Sequence, residues 1–251
     1  LSKTLETYLN QLPTPARCTS CEDVVDKQAV LKPDYGLLLN STVLSKSLTE
    51  KLIYIKNNRN VLKNYYAGYY PETGNVKFEH EKPYAEMAYP DAGYRLLCLY
   101  RYWAMINYFF PYKDVIGTDW NKTLSTFIPV FINAKDKKDY TIAALKLIGS
   151  INDTHANIWG SNRTLDEIKG KNTVPFGATF VQGKLVVTEY YADTMVVKNK
   201  LKLGDIIVSI NGKAIDQLVE EFLPLTPASN YDTKLRDLPF NYLLRSNLSS
   251  F

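Results

Sequence analysis

The chain reads as an α+β multidomain protein: a mixed N-terminal region, three amphipathic helices forming a compact bundle, and then a small β-barrel. Three observations predict this. Apolar residues recur every three or four positions from Arg95 to Ile151, short apolar runs broken by Gly-containing turns fill Val174 to Ile215, and 251 residues suffice for roughly two or three domains. The expected boundaries are 1–90 for the mixed region, 91–160 for the helices and 172–230 for the β-rich unit.

The N-terminal region opens with a short helix carrying Leu5, Leu9 and Leu12, which stops at Pro13-Thr-Pro15. Ser47-Leu-Thr-Glu50 matches a capping box, and Leu48, Leu52 and Ile55 then share a helical face. Tyr65-Tyr66-Ala-Gly-Tyr69-Tyr70, followed by Pro71 and Gly74, suggests strands with a turn. Its tyrosines fit half-buried sheet packing, with an aromatic binding surface as the alternative.

In the helical region Leu96, Leu99, Tyr100, Trp103, Ile106 and Phe110 form one stripe that Pro111 terminates. Thr118 or Asp119 can cap a second helix carrying Leu124, Phe127, Ile128 and Phe131, in which Pro129 predicts a kink or break. Asp139 can cap a third, carrying Ile142, Leu145, Ile148 and Ile151. No internal repeat or low-complexity segment is visible.

In the β-rich unit, Val174–Phe180 and Lys184–Glu189 read as two strands of a hairpin joined by Val-Gln-Gly. The run Leu201-Lys-Leu-Gly-Asp-Ile-Ile-Val-Ser-Ile-Asn-Gly-Lys-Ala-Ile215 then combines a reversal at Gly204, a short buried strand at Ile206–Ile210 and an Asn211-Gly212 turn. A helix begins near Asp216-Gln217-Leu218.

Composition narrows the function classes. Hydrophobic residues make up 45% and charged residues 22%, so disorder is not expected. The net charge of +4 is spread in mixed runs such as Lys135-Asp-Lys-Lys-Asp139, without the basic stripe that nucleic-acid binding calls for. No apolar run reaches the about 18–20 residues that span a bilayer, and the N-terminus lacks a charged stretch followed by an apolar signal core. No metal or organic cofactor is expected.

Of three cysteines, Cys98 falls in a helical pattern and reads as a small buried side chain. Cys18-Thr-Ser-Cys21 is a single pair: a local disulfide, two plain thiols, half a zinc site or, in a weaker reading, a thiol oxidoreductase centre. His80 and His155 lie far from it in sequence.

The Gly204–Ile215 run, placed after the predicted hairpin, resembles the signature of a PDZ domain of the bacterial protease type. Such domains add an extended peptide to a sheet edge, so the resemblance implies a polypeptide ligand. It places the groove at Phe176, Gly177 and Ala178, facing Leu218; the residues alone are equally compatible with ordinary core.

The order of segments extends the resemblance. Tyr94-Arg-Leu-Leu97, Trp103, Tyr108-Phe-Phe-Pro-Tyr112, Asp119-Trp120, Asp153-Thr-His155 and the PDZ-like run together resemble the tail-specific, or carboxy-terminal processing, serine peptidases and their tricorn relatives, over roughly Tyr94 to Leu248. In that family a histidine in an Asp-x-His context is the general base for a serine, and His155 occupies the matching position; a lone histidine in a polar loop is otherwise a surface residue. The serine and oxyanion hole of such peptidases follow the PDZ-like unit, so residues 231–251 read as the start of a link to a catalytic domain absent from this sequence. No Gly-x-Ser-x-Gly elbow replaces it, and Ser246, Ser249 and Ser250 sit in no motif. The resemblance therefore implies a peptidase portion that is inactive alone, from a periplasmic, cell-envelope or secreted protein. The alternative is a non-enzymatic PDZ-type adaptor binding protein C-termini.

Overall fold

A computed structural model describes residues 2–19, 35–36, 42–58, 65–191 and 195–248, and it is a mixed α+β protein. The chain divides into two compact units, Leu1–Tyr84 and Ala85–Phe251.

In the first unit, α1 (Ser2–Asn10) and α2 (Lys46–Asn57) pack together. The cap of α2 is Ser45, not Ser47: its hydroxyl accepts the Leu48 N–H at 3.2 Å and donates to Glu6 of α1 at 2.6 Å, so the helix begins two residues earlier than the capping-box pattern predicts. Leu48 is fully buried. Strands β1 (Ala67–Tyr69) and β2 (Val76–Phe78) form an antiparallel ribbon. Tyr65, Tyr66, Tyr69 and Tyr70 are exposed rather than half-buried, because a ribbon of two three-residue strands offers little surface to cover them. Cys18 is disulfide-bonded, while Cys21 lies outside the described residues.

The second unit begins with three helices: α3 (Ala92–Phe109), α4 (Trp120–Asn133) and α5 (Lys137–Gly149). Asp91 caps α3 by accepting the Tyr94 N–H, and the helix stops where Phe110 turns extended ahead of Pro111. Asp119 caps α4 as expected. The cap of α5 is Asp136, three residues before the expected Asp139; Asp139 instead donates its N–H to Asp136 and accepts that of Lys135. Pro129 does not break α4. It and Ser125, whose carbonyl would receive the missing bond, are both exposed, so water can serve that carbonyl.

Leu99, Ile106, Ile116, Trp120, Phe131, Ala143, Leu147 and Ile151 form the core among these helices. Trp103 and Trp120 each donate an indole N–H to the other's backbone carbonyl at 2.9 Å, fixing α3 to the start of α4. Arg95, although charged, is buried because its guanidinium donates to the carbonyls of Pro90, Phe131 and Ile132, each at 2.7 Å. Two of these acceptors belong to the last turn of α4, where carbonyls lack helical partners and a cation is favoured. Cys98 is exposed instead of buried: it stands one residue from Leu99 and so about 100° around the helix from the inward face.

A second core gathers Leu145, Leu165, Phe176, Ala178, Leu185, Val187, Val197, Ile215, Leu225, Leu238 and Tyr242–Leu244. Helix α5 serves both, turning Ala143 and Leu147 to one and Leu145 to the other. After α6 (Arg163–Lys169) and β3 (Asn172–Thr173), β4 (Phe176–Val181) and β5 (Lys184–Tyr190) form the expected hairpin, with Gln182 and Gly183 both at positive φ in a two-residue turn. Helix α7 (Met195–Lys200) leads to β6 (Ile206–Ile207), which pairs with β5, so the sheet order is β4-β5-β6.

The single buried strand expected over Ile206–Ile210 is interrupted. β7 (Ser209–Ile210) pairs instead with β8 (Lys213–Ala214) around Asn211-Gly212, and Ile206 and Val208 are exposed because only Ile207 and Ile210 face the core. Helices α8 (Ile215–Phe222) and α9 (Tyr231–Leu238) and a π-turn at Pro239–Leu243 follow, and β9 (Arg245–Ser246) pairs with β3. Among the described residues the strands do not close into a barrel.

Candidate functional site

The turn after α5 carries the candidate base. Asn152 adopts a left-handed φ of 53°, which an asparagine tolerates, and its side-chain amide donates to the Ile116 carbonyl at 2.9 Å. This places Asp153 so that its Oδ1 accepts both the His155 backbone N–H at 2.8 Å and the ring Nδ1 at 3.1 Å. A carboxylate oxygen in this position accepts, so Nδ1 is the donor, and in the neutral ring the lone pair falls on Nε2. The His155 side chain is 97% exposed while that of Asp153 is 25% exposed.

Two aromatic residues complete the surroundings. Trp159, itself exposed, donates its indole N–H to the His155 carbonyl at 3.2 Å. The Tyr102 hydroxyl on α3 is pushed above its ordinary pKa by burial and, secondarily, by the Asp153 charge, so it stays a neutral phenol beside the carboxylate. The Thr154 and Ser229 hydroxyls meet at 3.4 Å. Among the described residues no hydroxyl or thiol hydrogen-bonds to Nε2.

This arrangement can hold an imidazole in one tautomer and accept a proton at Nε2. It does not by itself supply a nucleophile. Sequence reading found Asp153 and His155 but missed Tyr102, which follows the helical pattern as core. It also missed Trp159, whose position in a polar loop was the available signal.

Three of the four candidate peptide-binding residues, Phe176, Ala178 and Leu218, converge on the second core. Phe176 and Ala178 are each 7% exposed and fill it with their side chains, and Leu218 of α8 packs against the same cluster half-buried. Gly177 is covered by Glu189 and Tyr191, whose side-chain atoms lie within 2.9 Å of where a Cβ would stand. What β4 offers outward is its backbone: it pairs with β5 alone in its sheet, and Thr179 and Val181 are exposed near its end. His155 lies on a separate loop, and none of these four residues touches it through a hydrogen bond.

Among the described residues no three His, Cys, Asp or Glu side chains gather as a metal site, and no helix is long and apolar enough to cross a membrane. No protein-family model matches the chain, and no curated protein matches it.

Proposed function

We propose that this chain is the polypeptide-recognising, base-bearing portion of a serine peptidase of the carboxy-terminal processing, tricorn-like kind, acting in the periplasm, cell envelope or outside the cell. The observation that carries this reading is the Asp153–His155 pair, in which one carboxylate oxygen orients the ring from behind and leaves Nε2 turned to solvent. In the proposed reaction Nε2 removes the proton of a serine hydroxyl during attack on the peptide carbonyl and returns it to the leaving amine. Residues 91–160 are read as the family's helical-bundle subdomain. The succession of β4–β5 hairpin, Gly204 turn, Asn211-Gly212 turn and α8 supports a PDZ-like unit, with a substrate tail added along the edge of β4 that no described strand pairs, near Phe176, Gly177 and Ala178 and flanked by Leu218.

The test measures binding first. Fluorescent peptides with a free C-terminal carboxylate should bind the chain, and the same peptides N-methylated at alternate backbone nitrogens, which cannot donate to a strand edge, should bind at least tenfold more weakly. Absence of peptide binding would overturn the proposal. The chain alone is expected not to cleave a mixed peptide pool.

A non-enzymatic adaptor is the second reading, favoured by the lack of a hydroxyl on Nε2 among the described residues. Protein isolated from its native source separates the two: peptide cleavage abolished by His155→Ala selects the peptidase, and binding without cleavage selects the adaptor.

A further inference from the structure

Beside the turn that carries His155 lies a cleft of about 540 Å³, walled by α4, the end of α5 and α9. Its charged lining is lopsided. Lys122 of α4, Lys146 of α5 and Lys234 of α9 all border it, and among the described residues none of the three forms an ion pair. The one acidic residue on its wall, Asp119, is engaged at the start of α4, where its carboxylate accepts the Asn121 N–H at 2.9 Å.

Lys234 makes the imbalance physically significant. Its side chain is half-buried, and its ammonium finds a neutral acceptor, the Asn152 Oδ1 at 2.9 Å. An ammonium taken from water without a counter-charge is costly. Burial accordingly holds the Lys234 pKa below its ordinary value, with no nearby carboxylate raising it. An exposed lysine needs no partner; a half-buried one at the wall of a cavity, joined by two more cations from other helices, leaves a charge deficit that an anion would fill. Phe127 and Pro224 add apolar wall, and the volume falls in the range of small-molecule sites.

We propose that this cleft binds a small organic polyanion, one carrying two or more carboxylate or phosphate groups on a short carbon body. The anionic groups meet Lys234, Lys122 and Lys146, and the carbon body lies against Phe127 and Pro224. The site is distinct from the β4 edge and does not depend on the peptidase reading.

Isothermal titration of the whole chain with tricarballylate, inorganic pyrophosphate and the uncharged triamide of tricarballylate tests it. Saturable one-to-one binding of at least one anion is expected, with no binding of the triamide and weaker binding at high salt. Tricarballylate preference assigns a polycarboxylate and pyrophosphate preference a phosphate ester. Lys234→Met, which keeps the aliphatic stem, should weaken binding at least tenfold while leaving the melting temperature unchanged or higher. The Lys122→Met/Lys146→Met double variant, altered only at exposed positions, should do the same and carries the test if Lys234→Met fails to fold. Lys184→Met, on the turn side of β5, should bind as the parent does. No saturable anion binding at millimolar concentration, or binding that the cleft variants leave unchanged, overturns the proposal.

Discussion

Replacing Tyr242 by Phe removes one oxygen atom from the second core and little else. The Tyr242 hydroxyl donates to the Leu225 carbonyl at 3.0 Å, both residues are about 95% buried, and the ring stacks on Phe222 at 4.9 Å between centroids. Phenylalanine keeps that stack, so the loss at neutral pH is the hydrogen bond and the stranded carbonyl, about 1–2 kcal/mol. A second, pH-dependent effect has the opposite direction. Burial holds the phenol above its ordinary pKa of 10.0, so its stabilisation is fully present below that value and declines once the unfolded chain ionises while the folded phenol stays neutral. One unit higher, at about pH 11, the parent has lost about 1.4 kcal/mol that the Phe variant never had. The remaining tyrosines are common to both proteins and cancel. Urea unfolding of the pair at neutral pH and at about pH 11 should therefore show a clear gap that nearly closes in alkali. An equal gap at both values would refute the burial argument, and no gap at neutral pH would refute the contribution of the hydrogen bond.

Arg95→Lys should cost about 2–3 kcal/mol in urea unfolding, since one ammonium cannot reach three carbonyls on two segments; a loss under about 0.5 kcal/mol would show that the α4 carbonyls are satisfied otherwise. Gly170→Ala should cost about 2–4 kcal/mol, because φ there is +96° and the new Cβ would stand 2.6 Å from the Ser246 backbone nitrogen, wedging β3 from β9. Gly183→Ala, with open space around its turn, should cost about 1 kcal/mol, and equal losses at the two glycines would exclude the close approach as the cause.

Local signals were legible where one short stretch decides the outcome. The α3 terminus follows from Pro111, the β4–β5 and β7–β8 turns follow from Gln182-Gly183 and Asn211-Gly212, and the α4 cap is narrowed to Thr118 or Asp119, of which Asp119 serves. The Asp153–His155 contact was similarly within reach, because two residues apart on a turn is already hydrogen-bond distance. The expected caps Ser47 and Asp139 were displaced by capping residues two and three positions upstream: Ser45 serves α2 while its hydroxyl also donates to Glu6 of α1, a partner 39 residues away, and Asp136 serves α5.

The sequence by itself determined which segments become helices and hairpins, where α3 stops and where the two tight hairpin turns fall, and it put a carboxylate two residues before His155. It did so because capping, proline and positive-φ turns act over a few residues. Only the tertiary structure decided what each side chain faces. It sent Phe176 and Ala178 into a core rather than an open groove, gave α5 two buried sides, left the β1–β2 tyrosines in water, and assembled Lys122, Lys146 and Lys234 from three helices around one cleft. Burial and charge density are sums over neighbours distant in the chain, and no periodicity within one segment encodes who those neighbours are.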